Sequence, residues 1–257
     1  MSRNLRYLIL LLILLFVALN ETVNKMSSTS WEAPLWVRIY ALNGDGRSAT
    51  DRYIDKLESR DFKAIENFVN NEARRYGLAI EAVEVEYNGR LQSHPPQPPS
   101  GQSVLENIWW SLSFRFWAMR RGWSSDSDEG DIELFVSYYD TETTHSLRHS
   151  VGLQGGMIGI INAFADASYR GSNQVVIAHE MMHTLGATDK YDSASIPLHP
   201  QGYAEPYLRP LYPQTGAEIM GGRIPLSPRQ AKMPQSLNEV VIGVYTAAEI
   251  NWPIEGN

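Results

Sequence analysis

Two hydrophobic rhythms alternate along the chain. Leu35 to Leu42 (LWVRIYAL), Ile80 to Tyr87 (IEAVEVEY), Asp131 to Asp140 (DIELFVSYYD) and Met157 to Ala165 (MIGIINAFA) read as strands, the second cleanly alternating with one acidic face. From Asp61 to Tyr76 the apolar residues Phe62, Ile65, Phe68, Val69, Ala73 and Tyr76 recur at helical spacing, and Gly77 supplies a stop. Val104 to Gly122 is a second helix, whose aromatic residues Trp109, Trp110, Phe114, Phe116 and Trp117 are expected to pack in the core. A third begins at Ser172, expected as its N-cap. Val175 to Ala178, Met181, Met182 and Leu185 surround that helix on nearly all sides, the pattern of a buried one. Near the end, Ser236 and Glu239 stand in capping-box spacing ahead of a final helix through SLNEVVIGVYTAAEIN.

The breaks between these segments have their own chemistry. Asn43-Gly44-Asp45-Gly46 makes a turn. Pro95, Pro96, Pro98 and Pro99 force an extended, exposed loop in which His94 is solvated. Asp126 to Asp131 reads as a solvated acidic loop. His145 and His149 are four apart but lack helical surroundings, so they are loop residues. After Tyr191 the chain turns rich in proline and glycine.

At the N-terminus, Arg3 and Arg6 precede thirteen apolar residues, Tyr7 to Leu19. A basic start before a short apolar run is the pattern of an export signal. Ala18 has Phe16 at the −3 position, a poor cleavage site, so a cleaved signal peptide and an uncleaved signal anchor both stand open for residues 1–19. Either places the rest outside the cytoplasm, periplasmic or secreted, and the anchor would associate it with a membrane. Residues 20–33 are polar and read as a linker, leaving 34–257 for the folded part.

The formal charge is −7, and without residues 1–19 there remain 20 basic and 29 acidic residues, net −9. That balance speaks against nucleic acid as a partner, because phosphate binding needs a basic footprint. Cysteine is absent. Disulfide staples, thiol catalysis and a thiolate metal site are therefore excluded.

The most specific chemistry lies in HEMMHTLGATDKY, His179 to Tyr191. On a helix, His179 and His183 at i, i+4 project from one face and can grip a single metal ion, and Glu180 can reach a metal-bound water without being a ligand. Burying two histidines and a glutamate is costly unless each has a partner, which a metal supplies. Gly186 can take a left-handed conformation and end the helix, turning the chain back so that Asp189 comes within ligand distance. Glu205, 22 residues beyond His183, is the main competitor for third ligand, with Asp192 and Glu218 further alternatives. Glu205 sits among prolines and a glycine, which argues against a regular ligand-bearing helix there.

HEMMHTLGATD, with IMGG around Met220 37 residues after His183, resembles the zincin metallopeptidases and, within them, the metzincin group. The resemblance covers residues 35 to 250 in element order but is specific only over 179–191 and 219–222. It implies an α+β fold: a mixed twisted sheet with an active-site helix, then an irregular C-terminal subdomain after about residue 186 that ends in a helix. It further implies Zn²⁺ held by His179, His183 and Asp189, Glu180 as general base, Met220 in a methionine turn beneath the metal, and a peptide or protein substrate. By that reading the strand from Met157 to Ala165 forms the cleft edge, where an extended peptide adds as a further strand. Aspartate replaces the usual histidine at the third position, and no tyrosine follows Met220 by two residues. Tyr191 and Tyr203 are the candidates to stabilise an oxyanion. A catalytically silent zincin that binds peptides or proteins at the envelope stands as the alternative.

Overall fold

The computed structural model describes residues 29–99, 103–122, 131–153 and 157–254. The apolar segment Tyr7 to Leu19, most of the linker and the acidic stretch from Asp126 to Gly130 lie outside the described residues. In what is described, no helix is long and apolar enough to cross a membrane. The architecture is α+β, with five α-helices among the described residues arranged about a mixed sheet.

The sheet is built from β1 (Leu35–Asn43), β2 (Val83–Arg90), β3 (Ile132–Tyr139), β4 (Val151–Leu153) and β5 (Ile158–Phe164), in the order β2-β1-β3-β5-β4. All neighbours are parallel except β4, which runs antiparallel to β5 with Gly152 opposite Gly159. Right-handed crossovers then decide which helix covers which face. From β1 the chain steps to β2 through α1 (Ser48–Ile54) and α2 (Lys63–Arg75). It returns across β1 to β3 through α3 (Val104–Gly122). Because the direction of travel reverses, α3 lands on the opposite face from α2.

Strand alternation sorts the core accordingly. Val37, Ile39, Leu134, Val136 and Ile161 join Ile65, Phe68 and Val69 of α2 in one cluster, which also takes Ile177, Ala178 and Met181 of α4 (Arg170–Thr184). Tyr40, Leu42, Phe135, Ile158 and Ile160 form a second cluster with Phe114 and Ala118 of α3. The metal-motif helix therefore lies on the α2 side of the sheet.

Several expectations are corrected here. The α4 helix begins at Arg170, two residues before the expected cap, and the Ser172 hydroxyl donates to the Tyr169 carbonyl at 3.0 Å instead of capping. Ser236 and Glu239 form no capping box: the segment is a single 3-10 turn, and Glu239 accepts from the Gln235 N–H at 2.7 Å. The final helix, α5, is only Val244–Glu249, launched after Gly243. The strand β5, expected as the cleft edge, is not at the edge of the sheet, because β4 pairs along it and takes the terminal position. The aromatic residues of α3 are not all core, since Trp109 and Phe116 are exposed.

Beyond α4 the chain forms short pairs: β6 (Ala217–Glu218) with β9 (Val240–Val241), and the hairpin of β7 (Ile224–Ser227) with β8 (Gln230–Lys232). The Asn43-Gly-Asp-Gly turn is held by its own side chains. Asn43 Oδ1 accepts from the N–H groups of Asp45 and Gly46, and Asp45 Oδ2 from that of Asp140.

Candidate metal centre

Helix α4 places the rings of His179 and His183 on one face, with centroids 4.8 Å apart. The helix then stops. Gly186 adopts φ +103°, open to glycine and strained for other residues, and the chain reverses toward the imidazoles. Asp189 arrives with Oδ1 3.2 Å from His179 Nε2 and 3.1 Å from His183 Nε2. Glu205 is elsewhere, its carboxylate accepting from the Thr215 hydroxyl at 2.6 Å. Asp192 caps its own turn, accepting from the N–H groups of Ala194 and Ile196. Among the described residues, His179, His183 and Asp189 are the group able to hold a metal ion; His145 and His149 are loop residues outside it.

The tautomers follow from what lies behind each ring. His179 Nδ1 is 2.8 Å from the Ile219 carbonyl oxygen, and His183 Nδ1 is 2.8 Å from that of Ala187. A carbonyl oxygen can only accept, so each Nδ1 is the protonated nitrogen and donates. In a neutral ring Nε2 is then a lone-pair acceptor. Two such acceptors and a carboxylate oxygen converge on one point with nothing to donate between them. That arrangement calls for protons or a metal cation. Tetrahedral coordination with bonds of about 2 Å puts neighbouring ligand atoms roughly 3.3 Å apart, close to the separations between Asp189 Oδ1 and both rings. The donor set fits a divalent cation, and the carbonyls of Ile219 and Ala187 are the orienting partners such ligands usually have.

Glu180 is the second unusual group here. It is buried, and its Oε2 makes no hydrogen bond among the described residues. Burial pushes its carboxyl up from the ordinary range, and Asp189 adds to this, while His179, His183 and the backbone N–H of Gly152 pull the other way. Burial opposes a charged His179, but Asp189, Glu180 and the Ile219 carbonyl outweigh it and raise that imidazole. Asp189 is depressed well below the carboxylate range: burial raises it, and its two histidine neighbours outweigh that. Gly152 brings β4 against this helix. A Cβ there would lie 2.5 Å from the Glu180 carbonyl oxygen and 2.7 Å from His183 Cβ.

The two tyrosines part company. Tyr191 stacks toward His179, with centroids 6.1 Å apart, and its hydroxyl is near enough to the Asp189 carboxylate to feel its charge. Burial, then Asp189, raises its phenol well above the ordinary value. Tyr203 is spent elsewhere, its hydroxyl 2.6 Å from that of Tyr212.

Met220 is fully buried, next to Ile219, in a turn organised by Glu218, one of the alternatives weighed as a ligand. The Glu218 carboxylate instead accepts from the N–H groups of Met220, Gly221 and Gly243 and from the Thr246 hydroxyl. Lys190 and Glu249 form a further support that the motif did not announce. Lys190 Nζ, nearly fully buried, donates to Glu249 at 2.6 Å, and Glu249 also accepts from the N–H and hydroxyl of Thr188. A glutamate two residues before the methionine was the only sequence signal for the first support; for the second there was none.

No protein-family model matches this sequence, and no curated protein matches it at a significant level.

Proposed function

We propose that the chain is an exported zinc-dependent metalloendopeptidase of zincin, metzincin-like architecture. The observation that carries this reading is the convergence of His179 Nε2, His183 Nε2 and Asp189 Oδ1 beside the buried, unpartnered Oε2 of Glu180. His179, His183 and Asp189 would hold zinc, which when bound supplies Lewis acidity toward a carbonyl oxygen and toward water.

The chain's own groups account for the remaining steps. Glu180 takes the proton of the attacking water and passes it to the departing amine nitrogen, so the carboxylate ends as it began. Burial, which raises its carboxyl, suits a group that must hold a proton briefly. The Tyr191 hydroxyl, beside Asp189, donates to the carbonyl oxygen as negative charge develops there. The terminal strand β4, lying against α4 at Gly152, offers its outer edge to an extended peptide by antiparallel strand addition. Arg3, Arg6 and the apolar run from Tyr7 to Leu19 support export.

The test is metal analysis of the purified protein together with cleavage of a diverse peptide library. The expected result is one zinc per chain and peptide hydrolysis, with Glu180→Gln keeping the metal and losing at least about a hundredfold in rate. Hydrolysis that survives Glu180→Gln overturns the proposal. Zinc held firmly by a wild-type protein that cuts no peptide replaces it with a silent, peptide-binding zincin.

A further inference from the structure

Strand β4 offers its outer edge to a peptide in the reading above, yet its own ladder is only three residue pairs long, Val151 to Leu153 against Ile160 to Ile158. Each ladder bond contributes little net, so three pairs hold a strand loosely. An edge that must first be ordered by the peptide binds it more weakly than one already in place. The middle residue, Gly152, rests directly on α4, with no room for a Cβ between it and the backbone of Glu180. Something must keep β4 there.

The tie comes from Asn162, the only polar side chain of β5. It is buried and lies two residues past the end of the ladder. Its Nδ2 donates to the carbonyls of Arg148 and His149 at 3.3 and 3.1 Å, and its backbone N–H donates to Ser150 Oγ at 3.0 Å. Carbonyl oxygens only accept, so the amide must present its nitrogen to them. Where backbone pairing stops, one residue therefore grips the three that lead into β4. The strand it holds is half-buried throughout, so this grip secures little core. What it secures is the position of an edge.

Helix α4 is gauged from the same strand. Asn173, buried in its first turn, donates from Nδ2 to the Phe164 carbonyl at 2.9 Å and accepts from the Phe164 N–H at 3.1 Å. Asn162 and Phe164 are two residues apart on β5, so the peptide edge and the helix bearing His179 and His183 are referenced to neighbouring points of one interior strand.

We propose that Asn162 is a positioning residue for the reaction, holding β4 in register with α4 so that an extended peptide finds its edge already formed beside Glu180. This rests on the peptidase reading and narrows its substrates to extended segments long enough to run along β4, since shorter ones gain nothing from that edge.

The experiment uses the full chain loaded with zinc. Glu180→Gln separates binding from turnover. In that background a labelled peptide of about six residues should bind about tenfold more weakly when Asn162→Ala is added, and about threefold more weakly with Ser150→Ala. Ser150 is a half-buried loop residue, so its variant decides the matter if Asn162→Ala does not fold. The same peptide N-methylated at alternate amides, unable to pair with a strand edge, should bind all three proteins equally weakly. With Glu180 intact, the loss should fall on KM while kcat and zinc content stay at the wild-type level. Equal affinity of the unmethylated peptide for all three proteins overturns the inference and leaves the peptidase reading standing. An equal loss for both peptides, or a loss carried by kcat, makes Asn162 a general prop of the fold and overturns the inference too. A chain that neither binds nor cuts any peptide overturns the peptidase reading, and this inference with it.

Discussion

The backbone N–H of Lys190 donates to the carbonyl oxygen of Met220 at 2.9 Å. The residue after Asp189 is thereby tied to the residue after Ile219, whose own carbonyl orients His179. Two of the three proposed metal donors lean on one turn, and the Glu218 carboxylate holds that turn. Replacing Glu218 by Gln leaves the volume but presents an amide N–H₂ to a site lined by donors. Metal affinity should fall about ten- to a hundredfold, as for other outer-shell losses. Competition with a chelator of known affinity measures it, and an unchanged affinity would show that the turn holds without the carboxylate.

Asp189 and Glu205 can be told apart directly. Asp189→Ala removes an oxygen within 3.2 Å of both ring nitrogens, so zinc affinity should drop steeply. Glu205→Ala loses only the hydrogen bond to Thr215 and should bind zinc as the wild type does. Dialysis followed by metal analysis of both variants reads the difference.

Tyr191 and Tyr203 make a similar pair. Tyr191→Phe removes a hydroxyl beside Asp189 and is expected to lower kcat about a hundredfold while metal content stays at one per chain. Tyr203→Phe breaks the bond to Tyr212, remote from the metal donors, and should alter stability more than kcat. Steady-state kinetics on a peptide substrate checks both.

Glu249 is the counter-ion of a nearly fully buried lysine. Burial raises its carboxyl, but the bonds from Lys190 and Thr188 prevail and hold it below its ordinary value of 4.5. The unfolded chain therefore binds this proton more readily. The stabilisation is fully present above pH 4.5 and is lost as the pH falls through the depressed native value. Glu249→Gln strands the Lys190 ammonium and should cost about 3 kcal/mol at neutral pH. Thermal melts of wild type and variant should differ widely at pH 7 and converge in acid; a constant gap would count against the ion pair.

Long segments with a clear period were legible in the sequence, and short ones were not. The helix from Val104 to Gly122 and the strands about Leu35, Asp131 and Met157 came out within a residue or two, because each carries enough side chains to declare its period. Helix α1 has seven residues and β4 three, too few for any rhythm, and β4 exists through backbone pairing with β5. That omission left the terminal strand of the sheet unread. In the metal centre, His179, Glu180, His183 and Asp189 could be read because their spacing within one helix and one turn is itself the signal. Ile219, Glu218, Lys190 and Glu249 could not, because they reach the site through tertiary contacts that no local pattern encodes. Trp109 and Phe116 read as core because periodicity reports that a face is apolar, not what it faces.

All three proposed metal donors come from the eleven residues from His179 to Asp189, while a principal orienting carbonyl comes from Ile219, far along the chain. An unfolded chain therefore still carries the complete donor set on a short tether and lacks mainly the pre-set tautomers. A cation that also binds the denatured ensemble stabilises the native one by less than its native affinity implies. On the proposed zinc-binding, exported reading, metal capture need not wait for folding, and the ion can board before the sheet has closed.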